Sequence, residues 1–387
     1  MVRESHRIAD RMKLLDASGI RKVFDLAAKM KDPINLSIGQ PDFDVPEPAK
    51  AEAIEAIRRG DNKYTQTQGT AELRSAIAKL CRAEFGWKDD RPYLISSGTS
   101  GALMLAILTL VNPGDEVVFP DPYFVMYAHL VNLAGGRCVP VDTYPGFRPD
   151  AQRIADAITD KTRLLIINSP TNPTGAVYTE RELRDIAQIA AKRDLLVISD
   201  EVYNFFCYDS PFVSMAGIHE NTILLRGFSK SYAMTGWRLG WCTGPTPVIE
   251  KMTMLQQYSF VCAPSMAQAA GVAALKTDMS AQVAAYKRKR DMVFEALGPA
   301  MGLAKPGGAF YAFVPAPPST GLGAGPRQGL GQAAGDASAF VAKAIENNVL
   351  IIPGNVFSSR NTHFRLSYAT SDDKLRKGLE ILVRLSR

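Results

Sequence analysis

Two cations stand eight residues apart in the stretch RGFSKSYAMTGWRLG, Arg226 to Gly240. Lys230 comes shortly after the apolar run TILL, Arg238 lies beyond small residues and a tryptophan, and the stretch holds no acid. Charges are rarely buried without a partner. Either this is a solvated loop, or an anion that the chain does not supply belongs there. Other polar sets also follow apolar, β-rich runs: Ser97, Gly98, Thr99 and Ser100 after LIS; Asn172, Pro173, Thr174 and Gly175 after LLIINSP; Asp200, Glu201 and Tyr203 after LLVIS. Ligands of open α/β sheets bind outside the carboxyl ends of the strands. Each set alone is a weak signal, but at one edge of one sheet they make a site.

The chemistry of the sets is complementary. SGTSG at a helix start offers free N–H groups, hydroxyls and the positive helix end, which suit a phosphate. Arg238 adds a bidentate clamp for the same anion. Asp200, ending an apolar strand, needs a cationic partner such as a protonated ring nitrogen. Asn172 and Tyr203 can donate to a phenolic oxygen. Lys230 can form a Schiff base with a carbonyl, because a desolvated lysine readily loses its proton. Pyridoxal 5′-phosphate carries all four of those groups. The bland readings stay beside this one: Lys230 as a surface lysine, Asp200 as a turn cap or a partner of Arg226, Asn172 as a turn residue, Phe124 as core.

These residues must be positioned by elements, and the pattern supplies them. Between about residues 90 and 245, short β-rich runs (RPYLISS, DEVVFP, TRLLIINSP, LLVISDEVY, TILLRGF, RLGWCTG) alternate with helical patterns such as ERELRDIAQIAAKRD, where Leu183, Ile186, Ala187 and Ala190 share a face. Continuous apolar strands between helices predict an α/β fold with a mainly parallel sheet covered on both faces. The chain ends read as a smaller α+β domain: residues 1–45 as an N-terminal segment and part of that domain, 46–284 as the large domain, 285–387 as the C-terminal part. The Gly-rich stretch STGLGAGPRQGLGQAAG, Ser319 to Gly335, reads as a surface loop.

Composition narrows the function classes. A net charge of +6 over 387 residues, with acids mixed among the bases, is a poor nucleic-acid footprint; the cluster KRKR at Lys287 to Arg290 reads as a solvated helix face. Five scattered cysteines without a CxxC fit free thiols in a reducing compartment. The four histidines do not cluster, so no metal site is read; His129 is expected to be a packed helix residue. The apolar run from Ala102 is too short to span a bilayer, and MVRESHRIADRMKLL has no apolar leader core. The reading is cytoplasmic, with no membrane and no nucleic-acid partner.

GFSKSYAMTGWRLG closely resembles the lysine signature of the class I/II aminotransferases, fold type I among pyridoxal-phosphate enzymes. LSIGQPDFDVP, KYTQTQGTAELR, SSGTSGAL, SPTNPTG, SDEVY and FRLSYA follow in family order, so the resemblance extends over nearly the whole chain. It is strongest to the branch containing prokaryotic aspartate aminotransferases. The resemblance implies that Lys230 holds the cofactor as a Schiff base and later carries the substrate proton. It implies that Asp200 keeps the pyridine nitrogen protonated. Asn172 and Tyr203 would bond the phenolic oxygen, while Gly98, Thr99, Ser100 and Arg238 would hold the phosphate. Tyr64 would reach the phosphate of the neighbouring subunit, implying a homodimer with shared sites. Arg365 would clamp the substrate α-carboxylate, with Gly39 bringing backbone close to it.

Two positions depart from the family pattern. Phe124 stands where aspartate-specific members often stack a tryptophan on the ring, and Gly227 stands where many members have a phosphate-binding serine. The implied function is ping-pong transfer of an α-amino group to a 2-oxo acid, with aspartate and 2-oxoglutarate as the best pair. No arginine is identifiable as a clamp for a distal carboxylate; Ile20 and Arg21 are candidates to line the substrate side chain. Aromatic, alanine or broader specificity, and a β-eliminating C–S lyase on the same fold, are the alternatives. A cis bond at Asn172–Pro173 is compatible with the sequence but not readable from it.

Overall fold

The computed structural model describes residues 8–15, 19, 23, 28, 30–88, 90–318 and 335–387. Ile20, Arg21 and all of the Gly-rich stretch except Gly335 lie outside the described residues. The chain runs through β1 (Ile34–Asn35), α1 (Glu47–Arg58) and α2 (Ala71–Phe85) into β2 (Tyr93–Ser97) and α3 (Gly98–Leu110). Alternation continues with β3 (Glu116–Asp121), α4 (Met126–Leu133), β4 (Arg137–Asp142), α5 (Ala151–Ala157), β5 (Thr162–Asn168), α6 (Glu180–Lys192) and β6 (Leu196–Asp200). Next come β7 (Thr222–Gly227), the single turn α7 (Phe228–Ser231), β8 (Leu239–Thr243), α8 (Thr246–Gln257), α9 (Ser265–Ala274) and α10 (Ser280–Met301). The C-terminal part is β9 (Tyr311–Pro315), α11 (Ala337–Glu346), β10 (Val349–Leu350), β11 (Ile352–Pro353), β12 (His363–Ser367) and α12 (Asp372–Leu385).

The large sheet has the strand order β2-β8-β7-β6-β5-β3-β4. Only β8 runs antiparallel to its neighbours; the other pairings are parallel. The residue alternation of a strand sends successive side chains to opposite faces. In β5, Leu164 and Ile166 pack on one face with Ala106, Ile107 and Val117, while Leu165 and Ile167 pack on the other with Leu183 and Ile186 of α6. Both faces are therefore apolar, which is why these strands read as unbroken apolar runs. α6 is started by a capping box in which Thr179 and Glu182 exchange bonds.

The smaller domain is built from both chain ends. β1 pairs in parallel with β10, matching Ile34 to Val349, and β11-β12-β9 form an antiparallel sheet. α12 presents Leu375, Leu379 and Leu382 to the shared core.

Three details differ from the sequence reading. β4 was not foreseen: RCVPVD carries an arginine and a proline, and an edge strand tolerates both. VLIIPG splits into β10 and β11, which pair with different partners. The KRKR cluster is only half solvated. Lys289 is buried against Asp42 and Arg290 is fully buried, with Nη1 2.7 Å from Asp209 Oδ2 and Nε 2.8 Å from Asp291 Oδ1. Successive helix positions point about 100° apart, so a run of four bases cannot share one solvated face.

Candidate active site

The carboxyl ends of β2, β5, β6 and β7 converge on a cavity of about 520 Å³. Of the residues singled out in the sequence, Gly39, Thr99, Ser100, Phe124, Asn172, Asp200, Tyr203, Lys230, Arg238 and Arg365 line it. β5 and β6 pair so that Asn168 lies opposite Asp200. Asn168 Nδ2 donates to the Asp200 carbonyl at 2.9 Å, and its Oδ1 accepts from the Asn172 N–H at 2.8 Å. One side chain thus fixes two strand ends. The Asn172–Pro173 bond is cis.

At one end of the cavity, no side chain caps the start of α3. Thr99 Oγ1 is buried there without a hydrogen-bond partner. Gly98 has φ +66°, and a Cβ on it would lie 2.3 Å from Arg238 Nη2, so this close approach requires glycine. A Cβ on Gly227 would lie 2.4 Å from Thr99 Oγ1. The threonine hydroxyl therefore fills the space that a side chain at position 227 would take. Arg238 Nη1 donates to the Thr235 carbonyl at 3.0 Å.

Asp200 lines the cavity and is 5% exposed. Burial pushes its carboxyl upward, opposed by Tyr127, the Val202 N–H and the charge of Lys230. Tyr127 Oη donates to Asp200 Oδ2 at 2.6 Å. Arg226 does not pair with Asp200. It joins Glu201, 2.8 Å from Nη2, and Glu84, 2.6 Å from Nη1.

Lys230 Nζ donates a short hydrogen bond to the Gly39 carbonyl. Desolvation, then Arg365 and Arg238, pull its proton affinity down to about 8, with Asp200 acting the other way. Arg365 is 1% exposed. Its Nη1 donates to Asn172 Oδ1 at 3.0 Å and its Nη2 to the Ser37 carbonyl at 2.7 Å, while Nε is buried without a partner. The guanidinium lies 4.5 Å from the ring centres of both Tyr311 and Phe357. No described carboxylate is within 4.0 Å of Lys230, Arg238 or Arg365; the ion pairs among the described residues involve other cations. The cavity is thus built to receive anions beside an amine of lowered basicity.

The sequence profile described as "Aminotransferase class I and II" matches residues 31–382. The chain belongs to the class I and II aminotransferase family. The aspartate aminotransferase of Pyrococcus abyssi is 38% identical over 98% of this chain and 98% of its own. Aromatic-amino-acid aminotransferase 2 of Thermococcus litoralis is 39% identical over 96% of each. The structure of the Thermus thermophilus aspartate aminotransferase with maleate superposes with a TM-score of 0.88 at 34% identity, covering 98% of this chain and 99% of that one.

Pyridoxal 5′-phosphate is the cofactor of these aminotransferases, and the donor set fits it. A partnerless hydroxyl and an arginine without a carboxylate line the cavity together with a buried carboxylate and an amine of lowered basicity. Tyr64 is not part of the cavity of this aminotransferase chain. It is 86% exposed and lines a separate groove with Arg59 and Ser265. His129 is not simply packed: it lines the cavity, and its buried Nδ1 has no partner.

Sequence reasoning missed Asn168, Tyr127 and Tyr311. Asn168 had a signal, as an amide ending an apolar strand. Tyr127 and Tyr311 had none, because their partners Asp200 and Tyr203 lie 73 and 108 residues away.

Proposed function

We propose that this aminotransferase moves the α-amino group of aspartate to 2-oxoglutarate in two half-reactions that share one cavity. The observation that carries the reading is the set of three cations without acid partners around the buried carboxylate of Asp200. When bound, pyridoxal 5′-phosphate supplies an electron sink that acidifies the substrate α-hydrogen. Lys230 Nζ takes that proton and returns it, a role suited to an amine whose proton affinity is near neutral pH. Asp200, fixed by Tyr127, holds a proton on the ring nitrogen. Arg238, Gly98, Thr99 and Ser100 bind the phosphate, with Phe124 against the ring. Asn172 and Tyr203 bond the phenolic oxygen. Arg365, oriented by Asn172 and Ser37, clamps the α-carboxylate near Gly39.

Tyr64 belongs to the partner's site in a cytoplasmic homodimer, which accounts for its exposure here. Residues 46–284 form the domain that carries the cofactor, and 1–45 with 285–387 belong to the smaller domain that supplies Gly39 and Arg365. The relatives named as aspartate aminotransferases support the donor choice. A second reading, an aromatic donor, is favoured by the apolar wall of Leu103, Phe124 and Met126.

The test is a spectral screen of cofactor-loaded protein against single amino acids, followed by addition of each oxo acid. Aspartate should shift the cofactor absorbance, and 2-oxoglutarate should reverse the shift. A response to aromatic donors alone moves the assignment to the second reading. No response to any amino acid, or pyruvate released from cystathionine without an oxo acid, overturns it.

A further inference from the structure

Tyr203 and Tyr311 both line the cavity, and their hydroxyl oxygens lie 2.8 Å apart with either able to donate. No other hydrogen bond among the described residues reaches either oxygen. A tyrosine hydroxyl has one hydrogen. If Tyr203 gives its hydrogen to the phenolic oxygen of the cofactor, its own oxygen can only accept. The neighbour that can give to it is Tyr311.

We propose that Tyr311 is a positioning residue that donates to the Tyr203 oxygen and so makes Tyr203 a one-way donor to the cofactor. The proposal rests on the reading of Tyr203 given above. The surroundings favour this direction. The Arg365 guanidinium lies over the Tyr311 ring and acts to acidify its hydroxyl, although burial holds it above the usual range. Tyr203 is raised well above that range, by burial first and then by Tyr311; Arg365 opposes the rise and the negative charge of Asp200 adds to it. The Arg365 guanidinium sits against the ring of Tyr311, 4.5 Å from its centre, and this placement favours Tyr311 as the donor of the pair. The charged and titratable groups that act on the pair are Arg365 from β12, Asp200 from β6, Tyr127 from α4, Tyr286 from α10 and Tyr368 after β12, with Lys230 of α7 lining the same cavity.

The close packing around Tyr311 holds its hydroxyl in place. A Cβ on Gly39 would lie 1.9 Å from Tyr311 Oη, so the loop that carries Gly39 abuts that oxygen. Tyr311 comes from β9 of the smaller domain and Tyr203 from the segment after β6, so the pair also joins the two domains.

Two hydrogen bonds in series polarise one another, each strengthening the next. A donor to the phenolic oxygen draws electron density from it and weakens its hold on a proton shared with the neighbouring ring substituent. The readout is the pH midpoint of the visible absorbance change of the holoenzyme without substrate. Tyr203→Phe should raise the midpoint. Tyr311→Phe should raise it by about 0.1–0.7 pH unit, the roughly 10–30% cooperative gain applied to one charge-assisted bond. In the Tyr203→Phe background, Tyr311→Phe should add nothing. Tyr311→Phe keeps the ring beside Arg365, so a purely packing role predicts an unmoved midpoint.

The relay is overturned if Tyr311→Phe leaves the midpoint in place, or moves it equally in both backgrounds. If Tyr203→Phe itself leaves the midpoint unmoved, the cofactor reading of Tyr203 fails, and the relay with it.

Discussion

Lys230 should titrate far below an ordinary lysine before any cofactor is added, and removing a neighbouring cation should restore part of its basicity. The amine is pulled from 10.5 down to about 8, chiefly by burial, then by Arg365 and then by Arg238. At pH 8 about half of the Lys230 amines would then be neutral, against roughly 0.3% for an unperturbed lysine, a gain of about 150-fold. Competitive acetylation of cofactor-free protein, read peptide by peptide by mass spectrometry across the alkaline range, measures this directly. Half-maximal reactivity of Lys230 is expected near pH 8. Arg365→Met should move it upward, and Arg238→Met should move it upward by less. Neither should reach 10.5, because burial remains the largest cause. The same shift has a sign for stability. The folded chain binds this proton less tightly than the unfolded chain, so a penalty present below pH 8 fades as pH rises from 8 towards 10.5. Reactivity like that of surface lysines, or a midpoint indifferent to Arg365→Met, would refute the argument.

Three further substitutions probe other parts of the site. Tyr127→Phe strips buried Asp200 of a donor at 2.6 Å. An unmet buried acceptor costs about 1–3 kcal/mol, so cofactor affinity by absorbance titration should fall about 5- to 150-fold. Gly98→Ala places a methyl 2.3 Å from Arg238 Nη2 at a positive φ; inorganic phosphate should then compete poorly with cofactor rebinding, and unchanged competition would count against a phosphate role for this end of the cavity. Arg226→Met leaves Glu201 buried without its cation, although Ser199 and Ser214 still donate to it. Such losses cost about 3–5 kcal/mol, so the melting temperature should drop. The drop should shrink at acid pH, because burial already lifts the Glu201 carboxyl and a protonated acid needs no partner.

The site was legible to the extent that its residues end strands. Asp200, Asn172 and Lys230 each follow an apolar run, and period-2 alternation puts Arg365 out of phase with Phe364 and Leu366. The same alternation did not disclose that Arg365 is itself buried, with its guanidinium against Tyr311 and Phe357. β4 was hidden because an edge strand needs only one apolar face. His129 looked like packing because helix periodicity reports the face a residue occupies, not whether that face meets a cavity.

The order of residue types along this chain is enough to dictate an alternating α/β core, a family of catalysts and the cofactor they share. Those depend on local spacing and on motifs a few residues long. Which group meets which across the cavity was decided only by folding. Tyr127 reaches Asp200, Tyr311 reaches Tyr203, and Arg226 turns away from Asp200 to Glu201 and Glu84. Sheet order brings together residues far apart in sequence, and hydrogen bonds and ion pairs are set by ångström-scale distances that local pattern does not encode.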